Sequence, residues 1–108
     1  MNRGVRHYKK EDLEIKSDQE GTEMWSVSLP NTMMTYFKIA AGMHFESQEH
    51  NRDQITHILE GCLYFNFEDG EIAVSAGEVI AIPAGTPHAL TTRGSAVRGI
   101  DSWSGPLE

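Results

Sequence analysis

The chain has 108 residues, one cysteine (Cys62) and a formal net charge of −7 from nine basic and sixteen acidic residues. That length suits one domain with a core of its own. The lone cysteine excludes an internal disulfide, and the acidic balance argues against a nucleic-acid partner, which needs clustered Lys and Arg against phosphate. The chain opens with Arg3, Arg6, Lys9, Lys10 and Lys16 mixed among Glu11, Asp12 and Glu14. This stretch has no apolar run of the kind a secretory signal needs, and nothing further on approaches the roughly 18 apolar residues of a membrane span. A cytoplasmic protein with no membrane partner is expected. Residues 9–16 read either as a short helical turn or as an extended arm.

From there the chain is punctuated by Gly and Pro between short runs rich in Val, Ile, Phe, Tyr and Thr, the pattern of an all-β protein. Strands are predicted over residues 25–29, 35–40, 43–49, 54–60, 62–68, 72–75, 79–82, 88–92 and 96–102. Pro30-Asn31 separates an N-terminal arm and edge strand(s), 1–30, from a barrel over 31–108, both within one domain. Glu68-Asp69-Gly70-Glu71 reads as a hairpin turn centred on Asp-Gly. Tyr36, Phe37, Phe45, Phe65 and Phe67 are expected to fill the core. Composition reaches a sandwich or barrel and no further.

Two segments carry more. One runs Gly42, five residues, Gln48-Glu49-His50, three residues, Gln54, six residues, Gly61; the other runs Gly77, five residues, Pro83-Ala84-Gly85, two residues, His88. Gly61 and Gly77 stand at strand ends where positive φ is often needed, and Gly85 suits a turn that delivers His88 inward. Together the segments resemble the two signature motifs of the cupin superfamily over residues 33–103. The resemblance implies a double-stranded β-helix, the jelly-roll cupin barrel, often holding a metal ion. Where the family's first motif has His, His and Glu, this chain has Gln48, His50 and Gln54; the second motif ends in His88 as the family's does. Gln at the third position is similar to cupins of the pectin and uronate degradation type, which bind metal through three His and that Gln. The departure from their pattern is Gln48.

The resemblance thus implies a metal set of His50, His88, Gln54 and Gln48, holding a divalent transition ion such as Zn, Ni, Mn or Fe. Side chains two apart on a strand share a face, so a regular strand puts His44, Glu46, Gln48 and His50 on one face. At about 3.3 Å per residue, Gln48 lies roughly 6.6 Å from His50, Glu46 about 13 Å and His44 about 20 Å. The latter two are therefore expected in the substrate pocket rather than on the ion. Arg52, in the turn between His50 and Gln54, is expected at its mouth. Asp101-Ser102-Trp103 is similar to the catalytic Asp and following aromatic of the uronate-type cupins, which implies Asp101 as acid or base and Trp103 in the pocket. No basic residue follows in Ser104-Gly105-Pro106-Leu107-Glu108, as one does in those proteins. His57 and Arg98 have the opposite parity to Gln54 and Asp101 and should face outward.

Two functions stay open on the sequence. One is a metal-dependent isomerase or ring-opening enzyme acting on a sugar acid or similar small polar molecule. The other is a non-catalytic cupin that binds a small ligand, with a weakened or lost metal site. A homodimer is expected in either case, because pairing across a two-fold axis covers open sheet edges.

Overall fold

The structure is a computed structural model that describes residues 4–104. A 3₁₀ turn over Lys10–Asp12 begins it, tied by the Asp12 carboxylate, which accepts the Lys9 backbone N–H at 3.0 Å. Nine strands follow: β1 (Thr22–Leu29), β2 (Thr32–Ile39), β3 (His44–Gln48), β4 (Gln54–Glu60), β5 (Cys62–Phe67), β6 (Gly70–Ser75), β7 (Val79–Ile82), β8 (His88–Thr91) and β9 (Val97–Ser104). They form two antiparallel sheets, one in the order β1-β2-β9-β4-β7 and the other β3-β8-β5-β6. Neighbours distant in sequence, such as β2 with β9 and β3 with β8, give the jelly-roll winding of a double-stranded β-helix.

Alternation along each strand sets which side chains enter. In β4, Gln54, Thr56 and Ile58 are buried while Ile55, His57 and Leu59 face out. The core between the sheets is Phe37, Ile39, Ile58, Leu63, Phe65, Val74, Ile82 and Val97, each contributing about 1.5–3 kcal/mol by leaving water. Phe45 and Phe67 pack half-buried against it. Tyr36 does not join them. It lies on the opposite face from its neighbour Phe37 and stacks on Trp25, ring centroids 5.6 Å apart. Gly99 makes Phe37 possible, since a Cβ there would stand 2.6 Å from the Phe37 ring and 2.9 Å from the His57 carbonyl oxygen.

Three local expectations are refined. The β5–β6 turn centres on Glu68-Asp69, one residue earlier than the Asp-Gly pair, because Gly70 already pairs with Phe67. The chain before β1 is extended after its 3₁₀ turn. Lys16 bridges Met24, and Arg6 donates to the Ser28 carbonyl at 3.0 Å, so the arm follows the free edge of β1. Strand β3 is not regular. Phe45 pairs with Leu90 and Gln48 with His88, so three residues of β3 span two of β8, the signature of a β-bulge.

Candidate metal and substrate site

The bulge decides which residues of β3 look inward. The extra residue inverts the alternation after Phe45, so Phe45 and Gln48 both line the space between the sheets. His44 and Glu46 are exposed and do not line it. The expectation that they share a face with Gln48 and His50 is corrected: it held only for an unbulged strand.

His50 follows β3 in a loop that three contacts fix. The Gly85 N–H donates to the His50 carbonyl at 2.7 Å. The Asp53 carboxylate accepts the Ala84 N–H at 2.9 Å, and Ser104 Oγ accepts the Asp53 N–H at 3.0 Å. Gly85 can make its bond because it holds φ at +79°, a conformation that other residues adopt only with strain. The turn before β8 and the loop before β4, the two motif segments, are thereby joined backbone to backbone. The His50 ring lies 5.5 Å from that of His88 and meets Trp103 edge-on at 4.9 Å. Burial, then the charges of His88 and Arg52, hold its pKa below the ordinary imidazole range and favour the neutral ring. Arg52 is half-buried beside it and is not among the residues lining the cavity.

His88 opens β8, directly opposite Gln48, with only 2% of its surface exposed. Its Nδ1 lies 2.9 Å from the Thr86 carbonyl oxygen. A carbonyl only accepts, so Nδ1 carries the hydrogen and Nε2 keeps the lone pair of the neutral ring.

The opposite wall belongs to the five-stranded sheet. Register lines up Thr35, Asp101 and Thr56 across β2, β9 and β4, and Gln54 beside Trp103 in the next row. Gln54 Nε2 donates to Thr56 Oγ1 at 2.9 Å and approaches Asp101 Oδ1 at 3.4 Å; Thr56 Oγ1 donates to the same Oδ1 at 2.5 Å. Trp103 Nε1 donates to Thr35 Oγ1 at 3.3 Å, and that hydroxyl shares a hydrogen bond with Ser26 at 2.9 Å. Desolvation pushes the Asp101 pKa up to about 6, against the lowering effect of the Thr56 and Gln54 hydrogen bonds. Thr35, Thr56 and Ser26 were absent from the sequence expectations. The parity of Thr56 with Gln54 was the one signal available for it.

These walls enclose a cavity of about 340 Å³, polar on the side of Gln54 and Asp101 and apolar on the side of Phe45, Phe65 and Leu90. Gln48, His50, Gln54, His88, Asp101 and Trp103 all line it. Among the described residues no three of His, Cys, Asp and Glu are grouped to hold an ion, so a metal here would rely on amide oxygens. Two features of the donor set fit one. His88 is fixed with Nε2 free, and Gln54 Oε1 is buried without a hydrogen-bond partner. A buried carbonyl oxygen left alone is destabilising by roughly 1–3 kcal/mol, which a cation would relieve. Outside the cavity, His57 is exposed on β4, and Arg98 faces out to pair with Glu60 at 2.6 Å.

The cupin domain family matches residues 35–101, more than half of the chain. A stretch of 54 residues, 45% of this chain, is 43% identical to acireductone dioxygenase of Danio rerio and spans 30% of that protein's length. KdgF from Halomonas sp. superposes with a TM-score of 0.83 at 20% identity, covering 96% of each chain. An RmlC-like cupin from Shewanella frigidimarina superposes with a TM-score of 0.84 at 19% identity, covering 96% of this chain and 95% of its own. At these identities the structural likenesses speak for the fold. Among the described residues no helix is long and apolar enough to cross a membrane. With both motif segments on adjoining strands of a jelly roll and the family matched across them, the chain belongs to the cupin domain family.

Proposed function

We propose that this cupin is a metal-dependent enzyme acting on a small polar molecule. His50, His88, Gln54 and Gln48 would hold a divalent transition ion, Zn, Ni, Mn or Fe, and Asp101 would move the proton. The observation behind this is the buried, unpartnered Oε1 of Gln54 in the same cavity as both imidazoles and the Asp101 carboxylate. When bound, the ion supplies Lewis-acid polarisation of a substrate oxygen.

The chain's own residues do the rest. Asp101 takes a proton from one substrate atom and returns it to another, which is isomerisation: composition is unchanged. The aromatic and aliphatic wall of Phe45, Phe65 and Leu90 excludes water, and Trp103 braces His50. The resemblance of Gln54 and Asp101-Ser102-Trp103 to the uronate-type cupins favours ring opening of an unsaturated sugar acid to its linear keto form.

The test pairs metal content with turnover. The untagged protein is expected to retain or take up about one equivalent of Zn, Ni, Mn or Fe, and to open unsaturated uronates. Asp101→Asn should lose turnover by about 100-fold or more while staying folded. Less than about a tenth of an equivalent after soaking would sink the metal enzyme. It would favour the second reading, a ligand-binding cupin without catalysis, consistent with the lack of a three-residue His, Cys, Asp or Glu cluster among the described residues. Oxygen consumption by the metal-loaded protein would instead align the activity with the dioxygenase that matches 45% of this chain.

A further inference from the structure

An amide can turn either end towards an ion, and only its oxygen is a ligand. Which end of Gln54 faces the cavity depends on what the other end meets. Two residues along the inner face of β4 stands Thr56, 1% exposed and paired across the sheet with Asp101. Its hydroxyl hydrogen is committed to Asp101 Oδ1. A hydroxyl has one hydrogen, so towards Gln54 the Thr56 oxygen can only accept. The group 2.9 Å from it is therefore Nε2–H. The Asp101 carboxylate, with no hydrogen to give, repeats the requirement at 3.4 Å. The donors run one way, from Gln54 to Thr56 to Asp101, and Oε1 is the end left over, buried and unpartnered.

We propose that Thr56 is a positioning residue that locks the Gln54 side chain with its oxygen presented to the ion. This rests on the metal site proposed above. Thr56 touches no substrate in this role and acts only through Gln54. Its bland alternative is a buried side chain that fills space, and valine fills the same space without the hydroxyl. Removing the hydroxyl frees the amide to rotate, so that the nitrogen end competes for the cavity side and the ion loses a ligand for part of the time.

The experiment titrates Co(II), whose visible absorption reports coordination, into the metal-stripped wild type, Thr56→Val and Thr56→Ser. Thr56→Val is expected to weaken Co(II) binding by about 10- to 100-fold, as loss of an outer partner of a ligand typically does. Thr56→Ser, which keeps the hydroxyl, is expected to bind like the wild type. Equal affinity in wild type and Thr56→Val overturns the proposal and leaves the metal site standing; so does a fall in Thr56→Ser as large as in Thr56→Val. Absence of Co(II) binding by the wild type overturns the metal site itself, and this proposal with it. A measurement on the wild type alone covers a Thr56→Val protein that does not fold. The side-chain NH₂ resonances of Gln54 should stay protected from hydrogen exchange when Zn(II) is added, because Nε2 remains on Thr56 and Asp101. Loss of that protection on Zn(II) binding counts against the proposal.

Discussion

Asp101 is a carboxylate at neutral pH whose burial nonetheless raises its pKa, and that shift has a stability consequence in the metal-free protein. Its folded pKa is pushed up to about 6 from an ordinary 3.8, so the folded state holds the proton more tightly than the unfolded chain does. Stability is therefore greatest below the unfolded value and declines as pH rises through the folded one, by about 3 kcal/mol in total. Asp101→Asn keeps the shape and removes the titration. Under chelation it should be more stable than the wild type by up to about 3 kcal/mol above the folded pKa, with the gap closing below the unfolded one. Urea denaturation at the two extremes measures it, and equal pH slopes for the two proteins would show that Asp101 is not desolvated as described. Gln48 makes a second prediction at this scale. It stands opposite His88 across the β3–β8 pair, where an imidazole would add a stronger donor than an amide. Gln48→His should tighten divalent-metal binding by about tenfold or more, read by calorimetry; an unchanged affinity takes Gln48 off the ion.

At the scale of the element, the bulge in β3 does the selecting. Deleting Ser47 from it should match β3 to β8 residue for residue and keep Gln48 inward, opposite His88. Metal uptake should then persist; its loss in a variant that still folds would mean that the bulge itself, and not only the inward turn of Gln48, shapes the site. The β4–β5 junction is the least forgiving turn. Gly61 holds φ at +82°, and a Cβ there would run into the Ala96 carbonyl oxygen. Gly61→Ala combines backbone strain with a clash against fixed backbone and should lower stability by about 3 kcal/mol or more, visible as a drop in thermal midpoint.

These elements also divide what could be read in advance from what could not. Every strand was legible, because short β-branched runs between Gly and Pro have one interpretation in a chain of this composition. The positive φ of Gly61 and Gly77 was legible for the same reason. So was the outward turn of His57 and Arg98, since β4 alternates regularly as far as Ile58 and β9 alternates through Arg98, the register shift between Ile58 and Glu60 lying on β4. The inward set on β3 was not, since a bulge is a property of the pair β3–β8 and nothing in His44-Phe45-Glu46-Ser47-Gln48 alone announces it. The Gln54–Thr56–Asp101 chain was half legible: the first two share a face by parity, but Asp101 joins them only through the register of β4 with β9.

For the molecule as a whole, the arm preceding β1 covers an edge that would otherwise offer unpaired backbone groups. Lys16 bridges Met24 and Arg6 reaches the Ser28 carbonyl, and both contacts sit on β1, an outer strand of the five-stranded sheet. Removing residues 1–16 should therefore increase self-association more than it lowers the melting temperature, which light scattering alongside calorimetry can separate. The bond from Gly85 to the His50 carbonyl has a wider meaning. His50 owes its position to a torsion angle at Gly85, a residue that contributes no atom to the cavity. A lineage of such proteins could keep each of the four side chains proposed to hold the ion and still fall silent through a single change at Gly85. Inheritance of the chemistry is in that sense written in a residue without a side chain.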